Sequence, residues 1–183
     1  MSPSLSELLA SFGDSASVTW EECVDRARSV VEEAASAGVW LGTAESCTGG
    51  LVSASITAVS GSSAVFTGGV ASYAFSAKTA VLGVSQATLD AVGAVSLECA
   101  TEMAQGARRV LDCDIAVSTT GIAGPTGAVP GKPVGTVCFG IDSSGSSHAV
   151  RRLFSGDRDT VRLKSVAFAL DLIRGAIADI RND

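Results

Sequence analysis

The sequence predicts an α/β domain: a three-layer α/β/α sandwich built on a mixed, mainly parallel sheet. Three observations predict it. Short apolar runs of strand length alternate with longer segments whose apolar residues recur at three- and four-residue steps. Ile115-Ala116-Val117-Ser118-Thr119 carries little polarity, as strands covered on both faces do. Segments 134–142 and 147–154 flank Ser144-Gly145-Ser146, a hairpin signal, so at least one pair must be antiparallel.

Taken in order, residues 4–12 read as a short helix, with Ser4 and Glu7 at capping-box spacing and Gly13 as its stop. A stronger helix follows at 20–36. Thr19 and Glu22 cap it, and Trp20, Cys23, Val24, Ala27, Val30, Val31 and Ala34 form its core stripe. Gly38 ends that helix and a strand at 39–44 begins. A helix carrying Leu51, Val52 and Ile56 runs to about residue 59. Next come a turn at Gly61-Ser62-Ser63 and a strand over 65–73, interrupted at Gly68-Gly69. A glycine pair there marks a bulge or a close approach by a ligand or another backbone. Short helices are expected at 76–82 and 85–91. Ser96 caps a helix at 97–111, the strand at 115–119 follows, and 121–135 is a loop rich in Gly and Pro. A helix from about Asp157 to Ile180 closes the chain.

The composition narrows the function. With 46% hydrophobic and 17% charged residues, the 183-residue chain can bury a core. A net charge of −6, without a basic run, argues against nucleic-acid binding. No apolar stretch approaches a membrane span, and residues 1–17 hold no Lys or Arg to open a signal peptide. Five scattered cysteines (Cys23, Cys47, Cys99, Cys113 and Cys138) form no C-x-x-C pair, which suits a reducing cytoplasm and argues against a zinc site. His148 is the only histidine, so a Ser-His-Asp triad would have to use it.

Chemistry is most legible at Thr43-Ala44-Glu45-Ser46-Cys47-Thr48-Gly49-Gly50, where a strand ends, a serine is exposed and a helix starts. Open α/β sheets place ligands at such ends, and a helix start presents unpaired N–H groups to an anion. Ser46 reads equally as a nucleophile or as a turn residue capping the helix. Tyr73, the only tyrosine, lies five residues before Lys78. A desolvated lysine can serve as a base where histidine is lacking; the alternative is a surface lysine beside a half-buried tyrosine. Thr120-Gly121 ends another strand, and Arg158 opens the last helix, where it either grips a phosphate or pairs with Asp157 or Asp159. No P-loop or G-x-G-x-x-G is present.

The ordered blocks Thr43 to Gly50, Gly61-Ser62-Ser63-Ala64-Val65-Phe66, Tyr73 with Lys78, Gly93-Ala94-Val95-Ser96, Thr120-Gly121-Ile122-Ala123-Gly124-Pro125, Lys132-Pro133-Val134-Gly135-Thr136-Val137 and Phe154-Ser155-Gly156-Asp157-Arg158 resemble the CinA carboxy-terminal domain family. The likeness spans about 20–178. It departs at Phe75 and Ser76, where relatives often carry Asn and Glu, and at Ala128 and Gly131.

The resemblance implies a stand-alone nicotinamide-nucleotide amidase, which converts nicotinamide mononucleotide to nicotinic acid mononucleotide and ammonia in pyridine-nucleotide salvage. It implies Ser46, Tyr73 and Lys78 as catalytic residues, with N–H groups around Thr48, Gly49 and Gly50 as oxyanion donors. Ser63, Thr120, Gly121 and Arg158 are then substrate contacts, Arg158 toward the phosphate. It implies no metal or organic cofactor, a cytoplasmic homodimer and a small nucleotide substrate. The expected division is an extension at 1–19 and one domain at 20–183. Two other readings stand beside this one: a catalytically weak nucleotide-binding or regulatory module linked to competence or DNA damage, and a Ser-Lys peptidase.

Overall fold

The structure, a computed structural model, describes residues 4–10, 17–143 and 146–182. Gly13 and the Ser144-Gly145 tip of the expected hairpin lie outside them. Five strands form one sheet in the order β2-β1-β3-β4-β5. They are β1 (Leu41–Glu45), β2 (Phe66–Ala71), β3 (Ile115–Gly121), β4 (Thr136–Ser143) and β5 (Ser146–Leu153). β1 pairs in parallel with β2 and β3, and β4 runs antiparallel to both β3 and β5. Four strands therefore point one way and only β4 is reversed. The sheet is mixed, as the sequence implies, with antiparallel pairing confined to the β4–β5 side.

Helices cover both faces. On one side lie α1 (Leu5–Ala10), α2 (Trp20–Ala37), α3 (Leu51–Thr57) and α7 (Arg158–Asn182); their apolar stripes close over β1, β3 and β4. On the other lie α4 (Phe75–Leu82), α5 (Gln86–Val92) and α6 (Leu97–Leu111). The α2 start is a capping box in which the Thr19 hydroxyl accepts from the Glu22 N–H while the Glu22 carboxylate accepts from the Thr19 N–H. Ser96 caps α6 by accepting from the Cys99 N–H. The α1 helix packs on α7 through Leu5 and Leu8, so the amino-terminal extension covers part of the core.

Three departures from the sequence reading have local causes. β1 starts at Leu41 rather than residue 39, because the Trp40 N–H donates to the Asp114 carboxylate (2.7 Å) instead of entering the ladder. β2 is one strand with a register shift opposite Leu41/Gly42, not two pieces. Its glycine pair answers a close approach by side chains: a Cβ on Gly69 would meet Ser53 Oγ at 2.1 Å and Thr43 Oγ1 at 2.4 Å. Within the 121–135 loop, Val129 and Lys132 form a small bridge.

Because β2 and β3 flank β1 on opposite sides, with helices crossing on opposite faces, the carboxyl end of β1 is the topological switch point of the parallel part. A crevice opens there in such sheets. Residue 46 is the first residue beyond that end.

Candidate active site

The turn after β1 is fixed by Glu45, the last strand residue, whose carboxylate points under the start of α3 and is almost wholly buried. One oxygen accepts from Thr48 Oγ1 (2.7 Å) and the N–H groups of Gly50 and Val52 (both 3.0 Å). The other accepts from the Ser53 N–H (2.8 Å), Ser53 Oγ (2.7 Å) and, more distantly, Thr43 Oγ1 (3.4 Å). A helix start favours a negative charge, and here the chain supplies its own. Gly49 and Gly50 take φ of +64° and +97°, which lets the chain fold back over this carboxylate.

That arrangement corrects one expectation. The Gly50 N–H is spent on Glu45 and the Gly49 N–H on the Ser46 carbonyl (3.2 Å), while Thr48 is buried against Glu45 and Thr119. None of the three lines the cavity beside Ser46. The N–H groups of Cys47 and Thr48 lie against the Cys47 sulfur, with no oxygen acceptor among the described residues.

Ser46 is held from both sides: its N–H donates to the Thr119 carbonyl (2.9 Å), and the Ser72 N–H donates to the carbonyl of Glu45 (2.8 Å). Ser72 and Tyr73 carry the chain from β2 into α4, and one turn into that helix Lys78 reaches back beneath them. The side chain is 1% exposed, yet its Nζ lies 2.9 Å from Ser46 Oγ, 2.5 Å from the Ser72 carbonyl and 3.3 Å from the Tyr73 carbonyl. Burial lowers its pKa from the ordinary lysine value, against a smaller opposing influence from the Cys99 and Cys47 sulfurs. Those thiols are themselves pushed up by desolvation, to about 11 and about 12, so at neutral pH they are uncharged. With two carbonyls as acceptors for two N–H bonds, a neutral Lys78 amine turns its lone pair toward the Ser46 hydroxyl.

Tyr73 is placed differently from expectation. It borders the cavity, but the residue is 67% exposed and its backbone carbonyl, not its phenol, meets Lys78.

The cavity beside Ser46 has a volume of about 200 Å³. Lys78, Tyr73, Phe75, Thr120, Gly121 and Arg158 line it together with Ser46, and Ala94-Val95 add apolar surface. The Thr120 hydroxyl donates to the Ala94 carbonyl (2.8 Å), tying two of the lining segments together. Arg158 is not paired with Asp157 or Asp159. Its Nη1 donates to the Gly124 carbonyl (2.9 Å), Asp157 accepts from the Thr160 N–H, and Asp159 faces Arg162 at 3.7 Å. Arg162 donates to the Thr48 carbonyl (2.9 Å) and so braces the nucleophile turn from α7.

Ser63 is not brought to this cavity. It sits in the single 3₁₀ turn Ser62–Ala64 before β2, at the sheet edge opposite the carboxyl end of β1. Phe75 and Ala94-Val95 carried no polar signal that could mark them from sequence. His148 is exposed on β5, and all five cysteines are buried and unpaired. Among the described residues no group of three or more His, Cys, Asp or Glu could hold a metal ion.

The model of the CinA C-terminal domain matches residues 24–177. The chain belongs to the CinA C-terminal domain family. A putative competence-damage inducible protein of Thermoanaerobacter sp. (strain X514) is 47% identical over 143 residues, 78% of this chain and 35% of the relative. A CinA-like protein of Citrifermentans bemidjiense is 47% identical over 154 residues, 84% of this chain and 36% of the relative. The chain thus spans about a third of the length of these relatives. Among solved structures, a CinA superfamily protein from Klebsiella pneumoniae superposes with a TM-score of 0.83 at 34% identity, covering 86% of this chain and 98% of that one. The competence/damage inducible protein CihA from Agrobacterium tumefaciens gives 0.83 at 36% identity, covering 90% and 99%. Both share the α/β fold described above.

Proposed function

We propose that this CinA-family domain is an amidohydrolase that converts nicotinamide mononucleotide to nicotinic acid mononucleotide and ammonia. The observation that carries the reading is the buried Lys78 amine 2.9 Å from Ser46 Oγ, beside a small cavity that the Arg158 guanidinium also lines. A lysine so deeply buried costs folding free energy, and a base for Ser46 is a use that explains it.

In this mechanism Ser46 Oγ attacks the carboxamide carbon as its proton passes to neutral Lys78. The carbonyl π electrons move to oxygen, and of the two N–H groups on this turn without an oxygen acceptor, that of Cys47, which lines the cavity, meets them. Collapse of the adduct expels ammonia, which takes the proton from Lys78. Water then attacks the ester, gives a proton to Lys78 and releases the carboxylate; that proton returns to Ser46 Oγ. Tyr73 acts through its carbonyl, which holds Lys78 in place, and its ring borders the entrance. Thr120 and Gly121 line the cavity with Lys78 and contact the substrate, and Arg158 takes the phosphate. Ser63 has no place in this site within one chain.

The homodimer, the cytoplasmic setting and the division into residues 1–19 and 20–183 are carried with this proposal; among the described residues no helix is long and apolar enough to cross a membrane. Ammonia release from nicotinamide mononucleotide, compared with its dephosphorylated riboside, tests the reading. Turnover of the nucleotide with a higher KM for the riboside supports it. An inactive domain that still binds the nucleotide would make it a binding or regulatory module instead.

A further inference from the structure

A second cavity, about 350 Å³, lies on the other side of Val95 from the catalytic one. It is the larger of the two and falls within the range that small-molecule ligands fill, whereas about 200 Å³ beside Ser46 is below it. Its apolar side is formed by Val92, Val95 and Leu97, and its floor by Cys138 on β4. Val92 and Leu97 are 37% and 42% exposed, so this wall is open to a ligand.

Two cations face that wall. Lys132 is fixed by donating to the Val92 carbonyl (2.7 Å), which leaves two of its N–H bonds for another acceptor. Arg151 projects from β5 beside Cys138, its register partner, and its guanidinium has no hydrogen bond or ion pair among the described residues. Glu98, in the first turn of α6, is the only carboxylate on the lining, so the cavity keeps a net positive charge in a protein whose net charge is −6.

We infer that this cavity is a second subsite that takes a nucleoside phosphate, its base against Val92, Val95 and Leu97 and its phosphate on Lys132 and Arg151. An apolar wall suits a flat ring, a guanidinium with its donors unused suits a phosphate, and Glu98 can accept from ribose hydroxyls. The phosphate can come from two sources: a free nucleotide, or the second half of a dinucleotide whose amide-bearing half lies at Ser46. The inference rests on the amidase reading only for that second source.

The test is calorimetric titration of adenosine 5′-monophosphate into wild-type protein, Arg151→Glu, Arg151→Gln and Arg151→Lys, with melting temperature as the control for folding. Binding to the wild type, weakened about tenfold or more by Arg151→Glu and substantially restored in Arg151→Lys, is expected. If Arg151→Glu does not fold, Arg151→Gln is read in its place. No binding to the wild type, or equal binding by wild type and charge-removed variants, overturns the inference. The second arm measures hydrolysis of nicotinamide adenine dinucleotide. A KM that rises in Arg151→Glu assigns the joined source, and absence of hydrolysis with nucleotide binding retained assigns the free one. Titration needs no turnover, so an inactive enzyme that binds the nucleotide sinks the amidase reading and leaves this subsite standing.

Discussion

Replacing Glu45 with Gln tests whether the carboxylate beneath α3 holds the nucleophile turn. The isostere keeps shape and one oxygen but puts an NH₂ where an acceptor was. With the NH₂ beneath Gly50 and Val52, two backbone N–H groups lose their acceptor. In the other orientation only the Ser53 N–H does, because the Ser53 and Thr43 hydroxyls, already 2.7 Å apart, can turn to accept. Gln should choose the second. One buried orphaned donor costs about 1–3 kcal/mol, and the remaining bonds lose their charge assistance, so a loss near ~3 kcal/mol is expected. For a domain of this size that is a drop in Tm of roughly 6–12 °C. Thermal melting followed by circular dichroism, with denaturant unfolding to give the free energy, measures it. A loss below about 1 kcal/mol would mean that the six contacts to Glu45 do not act together, and the account of the turn would be wrong.

Other consequences follow from the same geometry. The neutral form of Lys78 is the base, so kcat/KM should fall as pH drops through a pKa below the ordinary lysine value of 10.5, and Lys78→Arg should be inactive at every pH tested. Between its folded and unfolded pKa values the unfolded chain binds more protons at Lys78, so stability rises with pH there; Lys78→Met should therefore keep or raise Tm at pH 7 while abolishing turnover. A large fall in Tm would make Lys78 a structural residue. Tyr73→Phe keeps the carbonyl that meets Lys78 and should retain kcat within about threefold, whereas loss of the phenol through a proton-transfer role would cost about a hundredfold or more. Gly69→Ala should destabilise by about 1–3 kcal/mol, because its methyl group would displace the Ser53 and Thr43 hydroxyls; an unchanged unfolding midpoint would refute that.

The helix caps were legible in the sequence because they are local: Thr19 with Glu22 and Ser96 with Cys99 close over three residues. The pairing of Ser46 with Lys78 was legible as chemistry, a serine and a lysine in a chain with one histidine, although a 32-residue separation hid their distance. Glu45 was missed because a helix start after two glycines reads as an empty anion site. Only the fold shows that the preceding carboxylate turns under it. The displacement of Ser63 has a similar origin: short blocks near in sequence to β2 lie at its opposite end from the site. Val95 and Lys132 fall within blocks of the family likeness, but nothing in those blocks marks them as cavity residues, and Phe75 and Arg151 carry no motif; their placement depends on how α4, α6 and the β4–β5 pair meet the sheet.

The pairing of Ser46 with Lys78 is the claim on which the rest depends. Its most direct measurement is ammonia release from nicotinamide mononucleotide by wild type and Ser46→Ala at equal, folded concentrations. The account predicts turnover by the wild type and a loss on the order of a thousandfold or more in Ser46→Ala. Activity in Ser46→Ala within tenfold of the wild type would contradict it.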